Sequence, residues 1–308
     1  MPSDSAAISG QQEKPKRKRR WFQFSLRSLF VMMLLLSVGL RWMAAKVETQ
    51  KVAVKATLKD GGSVWYDYEV DASGSIVAGA EPPGPNWLRK MLGDDAFTNV
   101  VKADVTTDVS LEKLSELGRI RFLTNRLYPP LSWYPFHNVG SPRITDAGLV
   151  HIWRLSRLIA LDLCGAEITD VGMAHLAELT QLNELCLSNT HVTDAGLEYV
   201  RGFNQLSRLE LDGTKVSGAG LEHIKGLSRL RILGLASTKV TDAGIAHLSG
   251  LTQLRMLGLG NTLVTDAGLA HLKGLSQLII VDFTGTKVTP AGAKDLKKAL
   301  PNCTVLAP

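Results

Sequence analysis

Cysteine is nearly absent from this chain of 308 residues: Cys164, Cys186 and Cys303 are all there is. They form no C-x-x-C pair, which excludes a disulfide framework and a cysteine zinc module. Aromatic residues make up only 6%. There is no glycine-rich phosphate loop, no H-E-x-x-H and no G-x-S-x-G, so neither an enzyme nor a bound cofactor is expected. A basic folded surface is lacking too. The net charge is +6, but residues 1–60 hold 12 of the 35 Lys/Arg and 4 of the 29 Asp/Glu. The other 248 residues carry 23 and 25, close to balance. A fold that binds DNA or RNA would carry the basic stripe itself, so no nucleic-acid partner is expected.

Long apolar runs are also missing, with one exception. Lys14, Lys16, Arg17, Lys18, Arg19 and Arg20 precede an uncharged stretch from Ser28 to Leu40, bracketed by Arg27 and Arg41. Thirteen residues rise only about 20 Å as a helix, short of a hydrocarbon core of roughly 30 Å. Trp21 to Met43 is long enough if the arginines snorkel and Trp21 and Trp42 sit at the interfaces. The expectation is a basic cytoplasmic tail (1–20) and a signal-anchor helix (21–43), with the rest outside the cytoplasmic membrane. The alternatives are a signal peptide cleaved after Ala45 and a soluble helix.

Residues 44–98 read as a small α+β membrane-proximal module. Ala44 to Leu58 is a helix with Val47, Lys51, Val54 and Leu58 on one face, stopped by Gly61-Gly62. Val64, Tyr66, Tyr68 and Val70 alternate as a strand, and Asp71–Gly74 turns toward Ser75–Val77. Pro82–Pro85 is a stiff loop, and Trp87–Leu92 a helical turn.

From residue 99 onward the chain repeats itself. Ile144-Thr-Asp-Ala-Gly-Leu149 returns from Ile168, Val192, Val216, Val240, Val264 and Val288, always at the same step. Thr107-Asp-Val-Ser-Leu111 is an earlier copy, separated from the next by a 14-residue insertion within Asn125–Pro142. Between the copies, Leu158-x-x-Leu161-x-Leu163 recurs at that step down to Leu278, Val281 and Phe283. Residues two apart share one face of a strand, so Leu161 and Leu163 point inward while Asp162 and Cys164 point out. Thr145, Thr169, Thr193, Thr241 and Thr265 suit helix N-caps. Leu149, Ile152 and Leu155 then form one helical face. A single copy cannot bury these residues, whereas stacked copies share one core. The fold class is α/β, with parallel strands inside and helices outside.

The L-x-x-L-x-L phrase resembles the leucine-rich repeat family, and T-D-A-G-L resembles a 24-residue subtype common in bacterial membrane-anchored proteins. The repeats are also similar to those of F-box substrate adaptors, although nothing in residues 1–98 looks like an F-box. The resemblance covers residues 99–308. It implies a curved solenoid that holds a protein or peptide on its concave sheet.

Several motifs invite chemistry. His151, His175, His223, His247 and His271 recur in one slot, but a straight ladder lacks the convergence that a metal needs, and a packing role is expected. Ser110-x-x-Lys113 matches a hydrolase string without its partner motifs. A metal-dependent or hydrolytic accessory is the rival reading. Thr190, Thr214, Thr238, Thr262 and Thr286 are expected to bond turn backbone. Cys164 and Cys186 sit on adjacent strands offset by two residues, which puts their Cα atoms about 8 Å apart. That exceeds disulfide range, so free thiols are expected, and Cys303 should pack in the C-terminal cap.

The expected binding surface is the inner sheet. Its acidic rows hold Asp162, Glu184, Arg208, Glu210 and Asp212. The next rows hold Ile232, Gly234, Met256, Gly258 and Ile280, where the glycines leave a shallow trough. Trp133, Tyr134 and Phe136 in the insertion are a second candidate contact, or else cap the first rows.

Overall fold

The computed structural model describes residues 26–72, 74–83, 89–90, 98–124 and 143–307. The basic cluster Lys14–Arg20, Trp21, the Trp87–Leu92 turn apart from Arg89 and Lys90, and the insertion with Trp133, Tyr134 and Phe136 lie outside the described residues. The chain divides into two compact units, with the boundary between Ala44 and Ala45.

Helix α1 runs unbroken over Leu26–Lys59. It is the only helix among the described residues long and apolar enough to cross a membrane, by length and composition, and none of its apolar window is buried. In its second half the inward face is not the expected one. Val47, Gln50, Ala53 and Thr57 are buried, while Lys51 is exposed and Leu58 is 55% exposed. Small and polar side chains allow close packing here. Gln50 Nε2 donates to the Thr98 carbonyl (3.4 Å) and Thr57 Oγ1 to the Ala53 carbonyl (2.9 Å).

The second unit is built on one ten-stranded sheet in chain order: β1 (Val64–Tyr66), β2 (Val100–Asp104), β3 (Phe122–Thr124), β4 (Ala160–Asp162), β5 (Glu184–Cys186), β6 (Arg208–Glu210), β7 (Ile232–Gly234), β8 (Met256–Gly258), β9 (Ile280–Asp282) and β10 (Thr304–Leu306). β1 pairs antiparallel with β2, and every later pair is parallel. The segment expected as a separate module thus shares a sheet with the repeats, and Ala53 belongs to their core. Its strand is shorter than the alternation suggested. Glu69 Oε2 accepts the Tyr66 N–H at 2.9 Å, which ends β1, and only Val70 pairs again, with Ile76.

Opposite the sheet each repeat makes one or two short turns of helix, several of them 3-10, as at Ile152–Arg154, Gly196–Gly202 and Gly268–Leu272. The sequence explains this. Leu149, Ile152, Leu155 and Leu158 recur every third residue, the period that eclipses side chains in a 3-10 helix, and all four are fully buried. The core is a stack of such leucines from Leu111 to Leu296.

The T-D-x-G phrase welds the stack together. Each aspartate reaches forward to the next repeat rather than capping its own. Asp146 accepts the Thr169 backbone N–H (2.9 Å) and hydroxyl (2.6 Å). Asp108, Asp170, Asp194, Asp242 and Asp266 hold Thr145, Thr193, Ser217, Thr265 and Thr289 in the same way. Where a repeat packs on a preceding aspartate, the glycine of its T-D-x-G phrase is required sterically. A Cβ at Gly172 would run into Asp146 Oδ1, and one at Gly196 into Asp170 Oδ1. The ladder starts at Asp60, just past α1, whose carboxylate accepts the Thr107 hydroxyl at 2.5 Å. It skips one rung at Gly218, where Thr241 has no side-chain cap.

Candidate functional site

The open face of the sheet, away from the helices, carries two aligned rows. One passes Lys102, Phe122, Ala160, Glu184, Arg208, Ile232, Met256 and Ile280. The other passes Asp162, Cys186, Glu210, Gly234, Gly258 and Asp282. All ten inner-sheet residues singled out in the sequence therefore fall on or beside one surface. Leucine at the residue between the rows, Leu161 to Leu257 with Val281 following, fixes that alternation by burial.

One L-x-x-L-x-L strand per repeat, in parallel register and backed by short helices, decides the architecture. It is an α/β solenoid of stacked repeats. No protein-family profile matches the chain, and neither does any curated protein sequence. Among solved structures, the solenoid is similar to an internalin of Listeria monocytogenes, with 21% identity and a TM-score of 0.47 over 66% of this chain and 58% of that one. An internalin C2 from the same organism aligns at 22% identity and a TM-score of 0.43, over 53% of this chain and 76% of the other. A leucine-rich repeat protein of Leptospira interrogans aligns at 16% and 0.41, over 63% and 56%.

In the middle of the open face of the solenoid, Arg208 and Glu210 alternate on β6 and pair, with Nη2 and Nε each 3.0 Å from Oε1. The expected trough beside them is partly filled. A Cβ at Gly234 would run into Glu210 Oε2 and lie 2.9–3.0 Å from both Asp212 carboxylate oxygens. The missing side chain lets those carboxylates lean over β7. Asp212 Oδ1 accepts the Ala236 N–H at 2.6 Å.

Crowding acid groups into a half-buried surface raises their affinity for protons. Burial, then the neighbouring Glu210 carboxylate, pushes Asp212 up to about 7 against the Ala236 hydrogen bond. Burial pushes Asp162 up to about 6, opposed by the Cys164 N–H and Arg208. Glu210 is raised by burial although Arg208 beside it pulls the other way. Beyond this cluster, Ile232, Met256 and Ile280 are half-exposed and make an apolar strip.

Three features of this face were not foreseen. Lys102 and Asp104 flank Ala103 on β2 as Ala160 and Asp162 flank Leu161, and Ala103 pairs with Leu123 in the same register. The Lys102-Ala-Asp104 alternation was the signal, hidden by alanine in the leucine slot. Second, Lys102 Nζ donates to the Gly74 carbonyl (3.0 Å), and Gly74, at φ 87°, lies against the Phe122 ring. The Val70–Ile76 turn thus covers the first rows of the face.

Third, the free-thiol expectation is wrong: Cys164 and Cys186 form a disulfide, with Cα atoms 5.6 Å apart. The longer separation expected from the sequence treated Cys164 as part of an extended strand. β4 instead stops at Asp162, whose Oδ1 takes the Cys164 N–H (2.9 Å), and Gly165 at φ 71° turns the chain. Asp162 and the two sulfurs converge within 4.8 Å. Cys303 is free and fully buried.

The other motifs resolve locally. Ser110 makes a capping box with Thr107, and Lys113 pairs with Glu112 and Glu116. The serine and lysine are not brought together as a nucleophile and base would be. His223 Nδ1 lies 2.9 Å from Arg201 Nη2. The threonine ladder does bond the turns, each hydroxyl donating to the carbonyl three residues back at 2.6 Å.

Proposed function

We propose that this chain is a membrane-tethered, non-catalytic scaffold that holds a protein or peptide segment on the open face of its repeats. The observation that carries this reading is the junction of two surfaces: the carboxylates of Glu210 and Asp212 beside the apolar strip of Ile232, Met256 and Ile280. A segment with apolar side chains on the strip and a lysine or arginine reaching the carboxylates fits both. Asp162, Glu184, Arg208, Gly234 and Gly258 complete the contact surface. Such charges set association rate and selectivity more than affinity.

Helix α1 supplies the tether in this reading: a single pass with residues 1–20 in the cytoplasm and the repeats outside, after the basic cluster ahead of the apolar run. A disulfide in the repeats accords with an oxidising compartment. Protease added to intact spheroplasts should remove the repeats and spare the tail, and protected repeats would reverse the orientation. For the site, a photo-crosslinking amino acid at Met256 should trap a partner in native membranes, whereas one at Ser249 on the helical side should not. Glu210→Lys should slow capture, more so at low salt. If both positions trap alike and Glu210→Lys captures like wild type, the contact moves to Trp133, Tyr134 and Phe136.

A further inference from the structure

The edge of the sheet where the strands begin has a different chemistry from the open face. The six tetrapeptides leading into β4–β9 (156–159, 180–183, 204–207, 228–231, 252–255 and 276–279) contain Arg157, Arg229, Arg231 and Arg255 and no Asp or Glu. All four arginines are exposed. The near-neutral balance of the repeats therefore hides a segregation, with carboxylates on the face, where Arg208 is paired with Glu210, and guanidiniums unpaired among the described residues on this edge.

At its N-terminal end the edge is indented. A cleft of about 610 Å³ is lined by Arg121, Arg157, Gln181, Asn183 and Gln205, together with Ser156 and Ile159. Among the described residues no carboxylate pairs with Arg121 or Arg157. Arg121 lies over the Phe122 ring, 5.4 Å from its centroid. A cation–π contact of this kind restrains a guanidinium and still leaves N–H groups to donate. The amides are oriented as well. Asn183 Nδ2 donates to the Gln205 carbonyl (2.9 Å) and its Oδ1 accepts Ser207 Oγ (2.7 Å). Gln205 Oε1 accepts from Arg229, which leaves its NH2 as a donor. The lining thus offers two unpaired cations and amide donors in a space larger than a carboxylate side chain needs.

We infer that this cleft is an anion site that takes a phosphate group, either a soluble phosphate ester or a lipid headgroup. Guanidinium pairs with phosphate through two parallel hydrogen bonds, and the added amides suit a ligand with three or more acceptor oxygens. The site is separate from the open face and does not rest on the scaffold reading.

The test uses the full chain in neutral detergent micelles, with arginine modification by phenylglyoxal followed by peptide mass spectrometry. This readout is resolved by residue, so binding to the basic tail does not contaminate it. Inorganic pyrophosphate should slow modification of Arg121 and Arg157 at least fivefold and leave Arg255, outside the cleft, nearly unchanged. Arg157→Gln should abolish the protection of Arg121. Doping the micelles with phosphatidylglycerol rather than phosphatidylcholine separates the two sources. Protection by the anionic lipid assigns a headgroup, and protection by pyrophosphate alone assigns a soluble ester. Equal modification rates with and without both ligands, or protection that extends equally to Arg255, would overturn the site. Open-face crosslinking from Met256 should be unaffected by Arg157→Gln, so this inference can fail without the proposed scaffold failing.

Discussion

Ser237 adopts φ 56° in the turn after β7, where equivalent positions hold Gly165, Gly213 and Gly285, or Asn189 and Asn261. The left-handed region costs a residue with a Cβ about 1–2 kcal/mol, and serine lacks the local side-chain bonding by which asparagine tolerates it. Ser237→Gly should therefore stabilise the repeats by up to about 1 kcal/mol, offset in part by unfolded-state entropy, read as a rise in the thermal or urea midpoint. A lower midpoint would mean that the hydroxyl makes a bond worth more than the strain. Asp212 makes a pH-dependent prediction. Its folded pKa, about 7, lies above the ordinary aspartate value, so between pH 4 and 7 the folded state binds the proton more tightly than the unfolded one. Its stabilising contribution is complete at about pH 4 and is lost as the pH rises through 7. Asp212→Asn should flatten the fall in melting temperature between pH 5 and 8 by a few degrees, and an unchanged slope would remove Asp212 as its source.

Among elements, the forward clamp from each aspartate to the next threonine or serine ties neighbouring repeats more directly than the turns do. Asp170→Ala removes two acceptors from Thr193, at 2.8 and 2.6 Å, and leaves a half-buried backbone N–H without a partner. The cost should be about 1–3 kcal/mol in a urea titration, whereas Thr193→Ser, which keeps the hydroxyl that Asp170 accepts, should lose far less. If Asp170→Ala behaved like wild type, the ladder would be a consequence of stacking rather than a cause. Gly218 and Gly244 show what happens without the clamp. A Cβ on Gly244 would come closer to the Cα of the preceding repeat than at Gly148, Gly220 or Gly268. The two repeats close into the space that the missing aspartate leaves.

For the whole molecule, the Cys164–Cys186 bond joins neighbouring strands across 22 residues of sequence. Closing a loop of this size in the unfolded chain is worth about 3 kcal/mol in the chain-entropy model. Peptide mapping without reduction should recover the two cysteines joined and Cys303 free. Reduction should lower the unfolding midpoint, and finding both thiols free in protein prepared under oxidising conditions would remove the staple. Its position matters for the site, because it fixes β4 against β5, the strand that lies between Asp162 and Glu210.

The repeat period, the strand and its inward leucines, the threonine turns and the location of the open face were all legible in the sequence. Each depends on spacing within one chain segment, and burial enforces spacing at every copy. Tertiary structure decided the rest. The aspartate of T-D-x-G looks like part of its own N-cap until the next repeat is stacked on it. The disulfide depended on the chain leaving the strand after Asp162, and a two-residue error in strand length moves a Cα by more than the tolerance of the bond. The elevated proton affinities of Asp162, Glu210 and Asp212 arise from burial against neighbouring strands, which composition does not encode. The trough expected at Gly234 was real as an absent side chain, but carboxylates from β6 and the turn after it lean into that space. Which charges cluster and which separate is set by how the strands of successive repeats lie side by side, and a net charge read along the chain averages that away.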